Sequence, residues 1–539
     1  MSVPNSPTEE TALLGSDIVS KDDTKNHYNK WTILPALWIG GFLSALDMTI
    51  VASLYPVIGS EFKLMNNASY IATSYLITNT AFQPLYGRLS DIFGRRAAVV
   101  FANVTFTIGT FLCGTSRSLV GLCIARAIAG IGGGGLGTMS SIISSDIVSL
   151  RERGTWQGIT NIVWGIGGSL GGPLGGLIAQ RWGWRIAFFF QIPLGIVSTI
   201  VVAWRVRIKP VIRGSNAPLL SRIDYLGSFL LVSGISLLII TFSLAGDAYF
   251  WLSPIIIGLL TSSLLLLYAF YWVEKNVALE PIAPVFILKQ ITPLNVCLCN
   301  FFNAFCGFVI LYELPLFFEA VLFMPSSEAG VRIFPHVIFT SLGSVLGGLY
   351  MKKTGRYRPL ILFGYFGMWT SIVAFSVLLS FGQRIPSIYI TLFLSLSGTS
   401  YGMNLTSTLI AIISSLAPEE QAVATGLSYL FRATGSVIGI SLSQTATLTL
   451  VLSNLSKQLA DVPGKDDLIR RLRESISIIP DLPENVRRLV IQSYVKAFSV
   501  SFVIVSGFAL VGIVCSLKIR QFYLHTSTRS GNEEPIMIF

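Results

Sequence analysis

Charge is scarce in this 539-residue sequence: 12% of its residues are Asp, Glu, Lys or Arg, against roughly 25% in ordinary soluble domains. That scarcity excludes a soluble multidomain protein. Histidine is scarcer still, with three residues. No phosphate-binding glycine loop, no His-Glu-x-x-His pair and no nucleophile elbow is present in the sequence. Hydrolytic and metal-dependent chemistry have little to work with, so no enzyme activity, cofactor or metal is expected. The six cysteines, Cys113, Cys123, Cys297, Cys299, Cys306 and Cys515, lie in or beside apolar segments without zinc or redox spacing. They are expected as small core hydrophobes. A cleavable leader is not expected either, because residues 1–30 are polar and the first apolar run is followed by many more.

What fills the chain instead is apolar, at 52% of all residues. A hydrocarbon core of about 30 Å takes about 20 helical residues to cross, and fourteen such spans with short loops and two polar tails would use up this length. Apolar runs fall near residues 33–55, 70–87, 97–115, 119–143, 158–180, 186–204, 224–246, 252–273, 293–317, 328–350, 359–381, 388–412, 423–451 and 494–517. They predict an all-α polytopic membrane protein with 14 transmembrane helices. The net charge of +11 would suggest nucleic acid in a soluble protein, but here Lys and Arg sit between apolar runs and no nucleic-acid partner is expected. One set of alternate loops carries sixteen Lys and Arg and the other six, leaving aside the long loop 453–493. Basic loops favour the cytosol, which places both termini there.

An internal repeat organises the spans. Gly87-Arg88-Leu89-Ser90-Asp91-Ile92-Phe93-Gly94-Arg95 has a counterpart 261 residues on, Gly348 to Arg356, and both glycines and the final arginine coincide. Gly158, Gly167 and Gly171 likewise fall 268 residues before Gly426, Gly435 and Gly439. Two six-helix halves follow from this. The expected organisation is a cytosolic tail (1–30), a first half (31–204), a basic linker with two inserted spans (205–289), a second half with the long lumenal loop 453–493 (290–519), and a cytosolic tail (520–539).

The segment Gly87 to Arg96 has the form of a signature between the second and third spans of the major facilitator superfamily. Leu46-Asp47-Met48-Thr49-Ile50-Val51, Arg126 with Gly130, Gly172-Pro173-Leu174-Gly175-Gly176 and Trp184-Arg185-Ile186-Ala187-Phe188 resemble its fourteen-span drug:proton antiporter branch. The run from Ser74-Tyr75-Leu76 to Phe82-Gln83-Pro84-Leu85-Tyr86-Gly87 is similar to fungal members. The resemblance covers about residues 31–520 and comes nearest to the fungal vacuolar basic amino acid transporters. It implies a gate built from Gly87, Asp91, Gly94, Arg95 and Arg96, in which Asp91 caps a helix of the other half while Arg95 pairs with acidic groups. The alternative is an orientation signal and a tight turn. Lys352 stands where Asp91 would repeat. For Gly168, Gly172, Pro173 and Gly176 in the fifth span the resemblance implies a bend that seals the cavity against leakage, and ordinary close helix packing is compatible with that.

Asp47 lies deep in the first span, where an ionised carboxylate costs roughly 2.5–3.5 kcal/mol. It is expected to be protonated part of the time, or paired; either suits proton coupling, and Asp47 or Glu313 is expected to carry the proton. Glu313 is the more distinctive acid. A buried carboxylate facing the central cavity would recognise a cationic group such as a lysine or arginine side chain, unless a basic partner satisfies it. Glu319 is expected nearer the lumenal surface and solvated. To Arg126 the resemblance assigns proton transfer or cavity organisation, against snorkelling to the interface, whereas Arg432 is placed near the cytosolic end in a structural role. Tyr75, Asn79, Gln83, Asn161, Asn303 and Asn404 are either cavity groups or interhelical hydrogen bonds. His336 is a lone intramembrane proton-site candidate. Asn67 and Asn454 are acceptor sequons close to the membrane, while those at Asn103 and Asn404 would be buried. Glu9-Glu10-Thr11-Ala12-Leu13-Leu14 fits an acidic dileucine signal for the vacuole, and residues 467–478 suggest an amphipathic cap on the long loop.

The reading is a monomeric proton-coupled antiporter with a small-molecule substrate, protons and membrane lipid as its partners. It moves amino acids, basic ones foremost (lysine, arginine, histidine), from cytosol into an acidic vacuole, driven by the proton gradient. A plasma-membrane multidrug exporter, a non-transporting nutrient sensor and a passive facilitator are the alternatives.

Overall fold

The structure, a computed structural model, describes residues 29–62, 69–208, 219–245, 249, 251–278, 280–458, 479–480, 482–522 and 524. The dileucine segment, Asn67 and the helix expected at 467–478 lie outside the described residues. Where described, the chain is helical apart from short connections and an isolated bridge between Ala245 and Tyr249. Helices are the economical solution for such a composition, because hydrocarbon offers no partner to a backbone N–H or C=O.

The first set comprises α1 (Lys30–Glu61), α2 (Ser69–Phe93), α3 (Arg95–Thr115), α4 (Leu119–Ile147), α5 (Leu150–Trp182), α6 (Trp184–Phe189) and α7 (Ile192–Arg205). Then come α8 (Tyr225–Leu244), α9 (Pro254–Asn276) and the short α10 (Val285–Lys289). The last set is α11 (Ile291–Leu322), α12 (Ser326–Val331), α13 (Phe334–Thr354), α14 (Arg358–Leu379), α15 (Ser387–Ser414), α16 (Pro418–Gln458) and α17 (Glu484–Leu517). Every expected span coincides with a helix, and twelve helical segments among the described residues are long and apolar enough to cross a membrane. The other two positions carry α2 and α15, which are 25 and 28 residues long and richer in hydroxyl and amide groups. The sixth span is divided between α6 and α7, with a proline in the first turn of α7, where its missing N–H costs nothing. The tenth begins as α12 and restarts at α13 in the same way.

The repeated glycines mark where helices touch. A Cβ at Gly87 would lie 2.7 Å from the carbonyl oxygen of Ala422 in α16, and one at Gly154 would lie 3.0 Å from Cα of Gly348 in α13. Thus α2 meets α16, and α5 meets α13, at two seams between the first and last sets. Gly158 faces Val345 of α13, and its repeat Gly426 faces Pro84 of α2. Gly167 and Gly171 lie against Phe42 and Leu46 of α1, while Gly435 and Gly439 lie against Phe301 and Phe305 of α11. A two-fold repeat of sequence has become a two-fold repeat of packing. The inserted α8 packs on its neighbour α9 and also on α2 and α16, so it straddles one seam.

Candidate functional site

The basic-loop face is closed by ion pairs. Arg95 donates from Nη1 to Asp91 Oδ1 (2.5 Å) and Ser90 Oγ (2.7 Å), and from Nε to Asp146 Oδ2 (2.7 Å). Gly94, at φ 90°, turns the chain between α2 and α3 where a side chain would be strained. Arg96 is exposed and stays outside this cluster. Because α2 and α16 run antiparallel with Gly87 opposite Ala422, Asp91 falls level with the first turn of α16, where the helix dipole favours an anion. On the second seam, Glu152 bridges Lys30 (2.6 Å) and Lys352 (3.1 Å), so the lysine in place of a second cap aspartate has acquired its own partner across the halves. Arg153 reaches Gln421 of α16 at 3.3 Å. Glu280, just before α10, holds both Arg88 (2.9 Å) and Arg222 (2.7 Å).

Toward the opposite face the seams part. A Cβ at Gly168, Gly172 or Gly176 would meet nothing within 4 Å, and Pro173 is exposed. Close packing falls on Gly167, Gly171 and Gly175, one position earlier in each pair and turned toward α1. This corrects the expected role of the glycine motif: in this conformation its named glycines line open space, and α5 continues through Pro173 as one helix. At that face Trp184 Nε1 and Arg185 Nη1 donate to Glu61 (2.6 and 2.8 Å). The bond from Arg185, then that from Trp184, holds the Glu61 carboxyl below its usual range.

Of the two outcomes open to Asp47, the structure shows pairing. Arg126 Nη1 donates to Asp47 Oδ2 at 2.5 Å, Gln191 Nε2 reaches Oδ1 at 3.4 Å, and the Arg126 guanidinium lies 4.2 Å from the Tyr75 ring centroid. Tyr75 in turn bonds Ser44 at 3.1 Å. Asp47 and Arg126 are 0% and 1% exposed, so Arg126 does not snorkel. The cluster belongs to the interior of the first set, between α1, α2, α4 and the α6–α7 break, and Asp47 is no free carboxyl in this conformation. Tyr75 is likewise not a cavity group here.

Glu313 is also fully buried, between α11 and α16. This corrects its expected exposure to a cavity. The face of α11 that carries it also carries Val309, Ile310, Leu314 and Phe317, all buried in one apolar cluster. Thr447 Oγ1 donates to Glu313 Oε2 at 3.0 Å, while Oε1 has no hydrogen-bond partner and no cation pairs with the carboxyl among the described residues. Glu319 is half-buried.

Amides occupy the middle. Asn161 donates to Ser344 of α13 at 2.7 Å and accepts from Gln157 at 3.3 Å, and Gln157 accepts from Ser141 at 3.3 Å. Ser141 also bonds the Tyr429 hydroxyl of α16. This polar chain crosses between the sets. Asn303 instead accepts from Asn404 (3.1 Å), and Asn79 from Gln83 (3.1 Å), bonds that remain within one set each. His336 bonds Ser397 at 2.9 Å and is buried. Five of the cysteines are buried free thiols and Cys123 is half-buried. Arg432 also departs from its expected place near the cytosolic end. It does not sit at the end of its helix but lines a small cavity with Gln157 of α5 and Asn300 of α11.

Comparison with known proteins agrees with this architecture. Residues 37–440 match the sequence profile of the Major Facilitator Superfamily. The chain is 74% identical over 523 residues to "Multidrug resistance protein fnx1" of Schizosaccharomyces pombe, covering 97% of this chain and 98% of that one. It is 39% identical to "Vacuolar membrane amino acid uptake transporter fnx2" of the same organism, over 96% of this chain and 88% of that one. With "Vacuolar basic amino acid transporter 2" of Saccharomyces cerevisiae identity is 34%, over 84% and 98%. Among solved structures, the human organic anion transporter MFSD10 superposes with a TM-score of 0.58 at 14% identity, over 90% of this chain and 99% of that one.

Proposed function

Because the chain belongs to the major facilitator superfamily, a family of membrane transporters, we propose that it is a proton-coupled antiporter that carries amino acids, basic ones foremost, from cytosol into the vacuole. The observation that carries this reading is Glu313, a carboxyl buried without a countercharge among the described residues, in a conformation whose basic-loop face is sealed. Charge without a partner is expensive at such a depth, by roughly 2.5–3.5 kcal/mol, so a proton taken from the acidic side neutralises it. When the cytosolic seams open, that proton leaves and substrate enters. The Asp47–Arg126 pair is an electrostatic brace within the first half, and the Asp91–Arg95–Asp146 cluster times the opening. Exchange of one cationic amino acid for one proton moves no net charge. The pH gradient then drives it alone, at about 1.4 kcal/mol, or tenfold accumulation, for each pH unit.

Relatives named as vacuolar amino acid transporters, at 39% and 34% identity, support the substrate class and the compartment. The relative at 74% identity, named a multidrug resistance protein, favours a second reading in which the same scaffold exports drugs at the plasma membrane. Uptake of labelled lysine or arginine into isolated vacuoles, with and without a proton uncoupler, tests the proposal. Uncoupler-sensitive uptake, lost on deletion while drug resistance is unchanged, is the expected result. Uptake that survives the uncoupler overturns proton exchange, and drug sensitivity without any loss of amino acid uptake favours the second reading.

A further inference from the structure

Arg432 lies fourteen residues into α16, about 21 Å from its start by helical rise, and is half-buried. Its guanidinium carbon stands 3.9 Å from the centroid of the Tyr429 ring. Among the described residues it has no hydrogen bond and no ion pair. The buried arginines differ in this respect: Arg126 has Asp47, Arg95 has Asp91 and Asp146, and Arg153 bonds the Val148 carbonyl. A guanidinium at membrane depth faces water or a partner, and marks a substrate path. The groups around it are those that would complete an anion site. Tyr429 is fixed by the bond from its hydroxyl to Ser141 of α4. Asn300 donates one amide N–H to Ser428 at 2.8 Å and accepts from Thr408 at 3.0 Å, which leaves its second N–H. Gln157 brings an amide from the first half.

We propose that Arg432, held on Tyr429 between the two halves and flanked by Gln157 and Asn300, is the subsite that takes the carboxylate of the transported amino acid. This rests on the amino acid reading above and deepens it. A planar guanidinium matches a carboxylate with two parallel N–H donors. Glu313 cannot serve the same molecule at the same moment. Its hydrogen-bond donor Thr447 lies fifteen residues further along α16, about 22 Å away, whereas the two ends of an extended lysine are less than about 10 Å apart. Substrate and proton therefore occupy different levels of the molecule, and their exchange is coupled through the movement of the halves rather than by competition for one carboxyl. In the conformation seen here the cavity is narrow, since Ser141 and Tyr429 tie the halves together beside Arg432. Closure of the cytosolic seams thus squeezes the subsite and drives the carboxylate toward the open side.

The test uses the full chain in liposomes with labelled lysine, and cadaverine, which is lysine without its carboxylate, as competitor. Wild type is expected to prefer lysine to cadaverine by about tenfold or more, the loss typical of one hydrogen bond to a charged group. Arg432→Gln erases the preference by raising the KM for lysine and leaves inhibition by cadaverine unchanged. Arg432→Lys keeps part of it, and Tyr429→Leu, which removes the platform, lowers it as well. Glu313→Gln, assayed by lysine counterflow, retains it. A preference that survives Arg432→Gln, or equal weakening of lysine and cadaverine, overturns the subsite while transport stands. Wild-type liposomes that take up no amino acid overturn the functional reading, and the subsite with it. If Arg432→Gln does not insert, Arg432→Lys and Tyr429→Leu decide by the same ratio.

Discussion

Replacement of Asp47 by Asn isolates the charge pair at the heart of the first half. The pair is fully buried, at 2.5 Å, with Gln191 and the Tyr75 ring as the remaining partners. Asp47→Asn keeps the shape and removes the charge, so the Arg126 guanidinium is left buried and uncompensated. Breaking one side of such a pair costs about 3–5 kcal/mol, a large share of a total stability of about 5–15 kcal/mol. Arg126→Gln leaves the opposite charge stranded and should cost a similar amount. The double variant strands neither charge, and should recover about 2 kcal/mol or more relative to the sum of the singles. The assay is thermal: heat the detergent-solubilised protein and measure the fraction that still elutes as a single species. Both singles should melt well below wild type, and the double above the worse single. Singles that melt with the wild type, or a double that is no better than the worse single, would refute the brace and return Asp47 to the role of proton carrier.

The glycines of α5 give a paired comparison. Gly167→Ala puts a methyl group 2.6 Å from the carbonyl oxygen of Phe42 and should lower the melting temperature, whereas Gly168→Ala, with nothing within 4 Å, should leave it within experimental error. Glu280→Gln removes the one carboxylate that Arg88 and Arg222 share. These side chains are only 5–14% exposed, so the loss exceeds the roughly 0.2–1 kcal/mol of a surface pair, and the α2–α16 seam should open at least several-fold more often, read as faster labelling of a cysteine placed at Ala422 by an impermeant reagent from the basic-loop side.

The architecture was legible in the sequence because it is written in spacing. Gly87 and Gly348 mark equivalent helix positions 261 residues apart, and each proves to touch the other half of the molecule. What spacing does not carry is the choice of face. In a stretch without charges or amides, such as Gly165 to Ile178 of α5, lipid and neighbouring helices ask for the same side chains, so Gly168 and Gly167 look alike in sequence although one lines open space and the other packs on Phe42. Partners across long separations were equally hidden. The nearest hint that Asp47 pairs with Arg126, 79 residues on, was that both are charges too deep to be solvated. Glu313 stands out in the sequence, but its burial depends on α16, a helix more than a hundred residues later. Arg432 lies close to the start of an apolar run that begins at about residue 423, but α16 starts at Pro418, which sets it deeper in the helix.

The central claim is that a proton crosses in one direction as an amino acid crosses in the other, by way of Glu313. The most direct measurement is the internal pH of acid-loaded liposomes containing the purified protein, followed with a trapped dye as lysine is added outside. The account predicts that lysine evokes alkalinisation in the wild type and none in Glu313→Gln. Lysine entry without any change of internal pH, or an undiminished response in Glu313→Gln, would contradict it.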